Sequence, residues 1–255
     1  MMKLTKILII FCSLLLINNL AKADHNQHVF EQANKLYQQE QYEDAILKYL
    51  EIINNGYESW ELYYNLGNAH YKLNNIGPSI YYYEKALLLS PNDSDIKNNL
   101  AFAENARVDA IEPLPKTIFY KWYHSISDQL TFDGWAQAVV VFSISFVLLF
   151  LLYYFSYSEA KKRLYFVSAL FSILVLGMAL SMAFSTFDDA IKDQPAIIFS
   201  ESIEVREAPS LGSEISFNLH EGTKVQIIAR DTDWVRIEIA NGKDGWIPVT
   251  DLKEL

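Results

Sequence analysis

Apolar residues fall in groups along this chain, and the character of the grouping changes four times. At the start, Lys3 and Lys6 precede an apolar run from Ile7 to Ile17, and Ala21-Lys22-Ala23 follows it. A basic flank, a run shorter than the ~20 residues that cross a bilayer, and a small-x-small tripeptide predict a secretory signal over residues 1–23. The mature chain would then begin at Asp24. The alternative is an uncleaved anchor, and under either reading the following segment is exported. Phe11 stands where a lipoprotein site at Cys12 would need a small residue.

Residues 24–112 carry helical periodicity, and a shift of 34 places Ala33 on Gly67, Leu36 on His70, Tyr49 on Tyr83 and Ile52 on Ala86. Pro113 and Pro115 end that region. Across 113–135, Phe119, Trp122, Ile126 and Leu130 are spaced as one face of a helix over 117–130, with Tyr120, Trp122 and Tyr123 suited to a membrane interface. An ordinary buried helix is the alternative. Two long uncharged apolar runs follow, at 136–157 and 164–187, each sufficient to span. The connecting residues 158–163 hold Lys161, Lys162 and Arg163, whereas the outer flanks hold Asp128, Asp133, Asp188 and Asp189. The basic loop predicts a cytoplasmic connection with both outer flanks in the periplasm, in agreement with the export signal. Gly177, Ser181 and Ser185 form a small-residue stripe suited to packing within this hairpin.

The last domain is expected over 188–255, and from about Pro195 the pattern changes to alternation: Val235, Ile237 and Ile239 point one way, Arg236 and Glu238 the other, and Asn241-Gly242 supplies a turn. The expected fold class is therefore multidomain: an all-α repeat solenoid, a transmembrane α-hairpin and a small all-β barrel.

Charge and composition narrow the chemistry. The 255 residues carry a formal charge of −10, with the acidic excess outside the apolar runs. That argues against nucleic acid and anionic lipid headgroups as the main ligand, and nucleic acid can be set aside, so lipid contact rests on the apolar segments. Removal of residues 1–23 removes Cys12, the chain's one cysteine, and with it disulfides, thiolate catalysis and thiolate metal centres. No ionisable residue lies within either run, so an ion pathway has no support.

The stretch Tyr64-Asn65-Leu66-Gly67-Asn68-Ala69-His70-Tyr71, then Tyr83-Glu84-Lys85-Ala86 and Ser90-Pro91, resembles the tetratricopeptide consensus. The first unit departs from it, with Gln32 at the position of Leu66 and no terminal proline, although Tyr42-Glu43-Asp44-Ala45-Ile46 restores the inter-helix turn. A third unit starts at Asp95 and stops without its second helix. Each unit needs small residues where its helices approach, at Ala33, Gly67, Ala45, Ala86 and Ala101. The resemblance implies a concave protein-binding face showing Phe30, Asn34, Tyr37, Tyr64, Asn68, Tyr71, Asn98, Phe102 and Asn105. The asparagine amides would bond a peptide backbone and the rings would give apolar contact. Tyr64 and Asn98 stand where a carboxylate clamp would need lysines, which argues against one.

The segments Val205-Arg206-Glu207-Ala208-Pro209-Ser210, Leu219 to Val225, Trp234-Val235-Arg236-Ile237 and Asn241 to Ile247 resemble the bacterial SH3-like domain. The resemblance implies binding of peptides, wall material or neighbouring proteins. Trp246 fits an exposed binding ring or a core ring, and Trp234 is expected in the core. From residue 195 onward the chain has eleven acids against six bases, which disfavours anionic wall polymers as its ligand, so peptidoglycan is possible but not preferred.

The whole order of segments resembles the BatE family of aerotolerance-associated proteins. Members are encoded with MoxR-type ATPases and von Willebrand A-domain membrane proteins, which implies an adaptor among other envelope proteins, connected with oxygen or stress tolerance. An enzyme is the rival class, as a wall hydrolase with an SH3-like targeting module. No segment of catalytic-domain size remains for it, and the five histidines do not converge with acids. His25 and His28 could hold a metal weakly, but a flexible polar tail is the preferred reading. No cofactor and no resident metal are expected.

Overall fold

The computed structural model describes residues 25–255, so the signal over residues 1–23 and the mature start at Asp24 lie outside the described residues. The described chain forms two compact units, one of residues up to Glu112 together with Pro195–Leu255, the other Pro113–Gln194.

The first unit opens with helix α1, residues 25–38, followed by α2 (Tyr42–Asn54), α3 (Trp60–Lys72), α4 (Ile76–Leu89) and α5 (Ser94–Asn105). Local chemistry sets the breaks. Ser59 caps α3 by accepting from the Leu62 amide, and Asp93 caps α5 by accepting from the Asp95 and Ile96 amides. The turns after α1 and α3 repeat the 34-residue period in their backbone: Glu40 and Asn74 both take positive φ, at 61° and 59°. The next amide reaches back in each case, Gln41 to the Leu36 carbonyl and Asn75 to that of His70. Gly67 is required by contact, since a Cβ there would lie 2.6 Å from the Tyr83 ring. Ala33, Ala45 and Ala86 are fully buried as expected, but Ala101 is exposed and Ala103 is buried instead. The reason is the half repeat: α5 has no second helix for Ala101 to approach. His25 and His28 belong to α1 and not to a flexible tail; His25 lies 3.6 Å from Glu51, and His28 meets Gln32 at 3.0 Å.

The same unit contains an antiparallel sheet of seven strands: β1 (Pro195–Ile198), β2 (Ser202–Arg206), β3 (Ile215–His220), β4 (Lys224–Asp231), β5 (Trp234–Glu238), β6 (Asp244–Pro248) and β7 (Leu252–Glu254), in the order β3-β2-β6-β5-β4-β1-β7. Val235, Ile237 and Ile239 enter its core, and Gly242 turns the chain at φ 80°. Register shifts at Val205/Arg206 and between Ile227 and Ala229 bend the sheet around that core. Trp234 is only partly buried and lies outside the core, contrary to expectation, because it sits at the strand end beside Pro248.

The sheet docks on the repeats. Ile197 joins Ile76, Ile80, Tyr83, Leu100 and Ala103 in one buried cluster. Asp109 accepts from the His220 amide (2.7 Å) and the Thr223 hydroxyl (2.7 Å), and pairs with His220 Nδ1 at 2.8 Å. Lys224 pairs with Glu84 at 2.8 Å, and the Glu221 carboxylate accepts from the Gly77 amide in the first turn of α4, where Asn75 offers no side-chain cap. The Tyr81 and Phe199 rings meet edge to face, with the Lys253 ammonium over Phe199.

The second unit holds α6 (Ile118–Ser127), α7 (Phe132–Phe155) and α8 (Glu159–Lys192), of which α7 and α8 are long and apolar enough to cross a membrane. The connection is only residues 156–158, so Lys161, Lys162 and Arg163 occupy the first turns of α8 instead of a loop. Hairpin packing uses Ala169, Ser172, Ala179 and Ala183, with Ser172 Oγ bonded to the Phe142 carbonyl at 3.0 Å. The stripe expected there is turned away: Gly177 and Ser181 are exposed, and a Cβ on Gly177 would meet nothing within 4 Å. The face predicted for α6 is split. Ile126 packs with Trp135, Ala179 and Met182, whereas Phe119 (84%) and Trp122 (65%) are exposed and Leu130 lies beyond the helix end.

Candidate binding groove on the repeats

Tyr37, Tyr64, Asn68, Tyr71 and Phe102 come together with Lys72, Tyr83 and Asn99 around a cavity of about 330 Å³ on the repeat domain.

 This groove is separate from a cavity of about 410 Å³ that lies among the first three helices of the same domain. Tyr71 (38%) and Phe102 (63%) are the rings most open to a ligand, and Lys72 is the cation at the rim. Helices α3 and α5 supply most of this lining, as first helices of their units, while Tyr83 reaches in from α4.

The asparagines have a different role from the one expected. Asn34 Oδ1 accepts from the Tyr49 hydroxyl at 2.6 Å and from Asn65 Nδ2 at 3.0 Å. Thirty-four residues on, Asn68 Oδ1 accepts from the Tyr83 hydroxyl at 2.6 Å and from Asn99 Nδ2 at 2.9 Å. A carbonyl oxygen offers two lone pairs, so both are committed inside the protein and only the amide NH₂ groups can serve a ligand. Each triad ties the two helices of one unit to the first helix of the next. Asn99 Nδ2 also reaches the Tyr64 hydroxyl at 2.8 Å, a bond that Phe30, the equivalent residue of the first unit, cannot accept. Burial pushes the Tyr49 and Tyr83 phenols far up, so both remain protonated donors.

The remaining expected residues do not join the groove. Phe30 leans on Tyr49, with ring centroids 5.8 Å apart, and lines the separate cavity. Asn98 and Asn105 are exposed on α5 outside the lining, because Asn99 is the residue of that turn directed at the preceding repeat. Trp246 is half-buried on β6, between the buried Gly245 and Ile247, and opposite Arg206 and Arg236. Asn65, Lys72 and Asn99 were missed by sequence reasoning. The recurrence of Asn65 at Asn99, at the same period of 34, is the signal that could have found the two asparagines; Lys72 has none.

Two stretches of the chain match known families: residues 60–93 match the tetratricopeptide repeat, and residues 201–253 match the bacterial SH3 domain. The chain thus combines a repeat of a protein-binding class with a bacterial SH3 domain. It is 31% identical over 78 residues to YrvJ of Bacillus subtilis (strain 168), whose name proposes it as an N-acetylmuramoyl-L-alanine amidase; the match covers 30% of this chain and 15% of that protein's length. Among solved structures, an NlpC/P60 family protein from Bacillus cereus ATCC 10987 matches with a TM-score of 0.22 at 17% identity, over 28% of this chain and 23% of that one. The C-terminal SH3 domain of myosin IB from Entamoeba histolytica matches with a TM-score of 0.18 at 20% identity, over 25% of this chain and 95% of that one.

Proposed function

We propose that this chain is a non-catalytic adaptor, held in a bacterial inner membrane by α7 and α8, whose groove binds a segment of another envelope protein. The observation that carries this reading is the groove itself: Tyr71 and Phe102 present open rings on a scaffold fixed by the two asparagine triads. Open aromatic surface on a rigid frame binds at low entropic cost. The docking of the C-terminal sheet on the repeats supports a common compartment for both, as two membrane crossings between them require. The export signal and the bases at the start of α8 favour the periplasm for that compartment. The family resemblance favours partners among von Willebrand A-domain membrane proteins and a MoxR-associated complex for oxygen or stress tolerance. Exposed Phe119 and Trp122 suit the lipid interface.

The test is the double variant Tyr71→Ala with Phe102→Ala, made in the full chain and compared with the unmutated protein for recovery of crosslinked envelope proteins. Both rings are exposed, so melting should be nearly unchanged while recovery falls roughly tenfold or more. Normal recovery from a normally melting variant rejects the groove. Protease added to spheroplasts should digest both soluble regions, and protection of either rejects the orientation. A second reading, in which the barrel holds peptidoglycan, is favoured by the partial likeness to the amidase-named relative. It predicts salt-resistant sedimentation of the protein with purified wall, reduced by Trp246→Ala.

A further inference from the structure

The cavity of about 410 Å³ lies among α1, α2 and α3 and shares no lining residue with the groove. Asn26 lines it and is only 5% exposed. Its Oδ1 accepts from Asn55 Nδ2 at 2.9 Å, but its own Nδ2 is buried and finds no acceptor among the described residues. A buried donor without a partner costs free energy that a ligand acceptor would recover. Glu58 and Glu61 are the charged residues of the lining, and no base accompanies them. The Phe30 and Tyr57 rings supply an apolar wall.

A ligand for this lining must bring an acceptor, a cation and an apolar body close together. A lysine side chain has the cation without an adjacent acceptor, and N-acetylated sugars have acceptors without the cation. The first residue of a polypeptide has all three. We propose that the cavity binds the amino-terminal residue of a peptide or protein, with its ammonium against Glu58 and Glu61, its carbonyl on Asn26 Nδ2 and an apolar side chain against Phe30 and Tyr57. This site is independent of the groove reading.

The test uses the full chain in lipid nanodiscs and the peptide Leu-Gly-Gly-Lys, labelled with fluorescein on its lysine side chain and followed by anisotropy. Acetylation of the amino terminus should weaken binding about tenfold or more, the scale of a charge-assisted contact. Asn26→Ala and Glu61→Gln should each weaken the free-amine peptide, and Glu61→Gln should erase most of the difference between the two peptides. Glu61 is partly exposed, so that variant tests the site even if Asn26→Ala unfolds α1. Tyr71→Ala with Phe102→Ala should leave binding within about twofold. Equal affinity for free and acetylated peptides, absence of binding at about 1 mM peptide, or loss of binding in the groove variant would overturn the proposal.

Discussion

The repeat domain buries Tyr49, Tyr63, Tyr82 and Tyr83, whereas the sheet encloses twelve aliphatic side chains and no buried ring. Both are closed cores, but they are specified differently. An aliphatic core gains from any apolar neighbour of suitable volume, since the hydrophobic effect has no direction. A buried tyrosine must also find a partner for its hydroxyl, and at Tyr49 and Tyr83 that partner is an asparagine one helix away. The strands hold their register through the backbone ladder. Stacked helices have no such ladder between them, and the Tyr-Asn-Asn triads supply directed bonds from one unit to the next.

The largest expected effect falls on the aliphatic side. Ile237 is fully buried in the sheet core, and Ile237→Ala should cost about 2 to 5 kcal/mol. Chemical denaturation followed at the repeat tyrosines should register this loss, because Ile197 ties the sheet to α4 and α5. A transition at the repeats that is unchanged while the sheet unfolds would separate the two cores.

An intermediate effect belongs to the polar side and depends on pH. His70 stacks on Tyr82 with centroids 5.4 Å apart, and burial, assisted by the Lys253 ammonium, pushes it down to about 4. The unfolded chain binds this proton near pH 6.5 and the folded chain only near pH 4, so stability is highest above 6.5 and falls as pH drops through that window. The loss should approach about 3 kcal/mol at the lower end. His70→Phe should remove that part of the slope in melts between pH 7 and 4. Asp109 acts in a different window: burial alone would raise it, but the bonds from His220 and Thr223 hold it below its ordinary value. Its contribution is present above pH 3.8 and is lost as pH falls through its lowered folded value, so it leaves the His70 window clear.

Sequence patterning revealed the elements whose cause is local. The small residues, the alternation in β5 and the turn at Gly242 each act through neighbours in the chain or through a fixed period. The recurrence of Asn34 at Asn68 was equally visible, but its meaning was not, because Asn34 bonds residues 15 and 31 positions away on two other helices. The stripe on α8 failed for a related reason: periodicity shows that Gly177 and Ser181 share a face, and only packing shows that α7 meets Ala179 and Ala183 instead. Nothing in the patterning announced that Asp109, in an irregular segment, would accept three bonds from the sheet.

The finest test of the contrast uses two adjacent residues of one type. Asn99 donates to Asn68 and Tyr64, and Asn98 is exposed beside it with no part in the triad. Asn99→Ala leaves Asn68 Oδ1 with one donor in a partly buried site, and should cost about 1 to 2 kcal/mol. Asn98→Ala removes a solvated side chain and should change stability by less than about 0.5 kcal/mol. Thermal melts of the two variants, at pH 7 where His70 is neutral, isolate the directed bond from helix propensity, since both substitutions place alanine on the same turn of α5. Equal losses would mean that the triad adds nothing beyond ordinary packing, and the polar half of the comparison would fail.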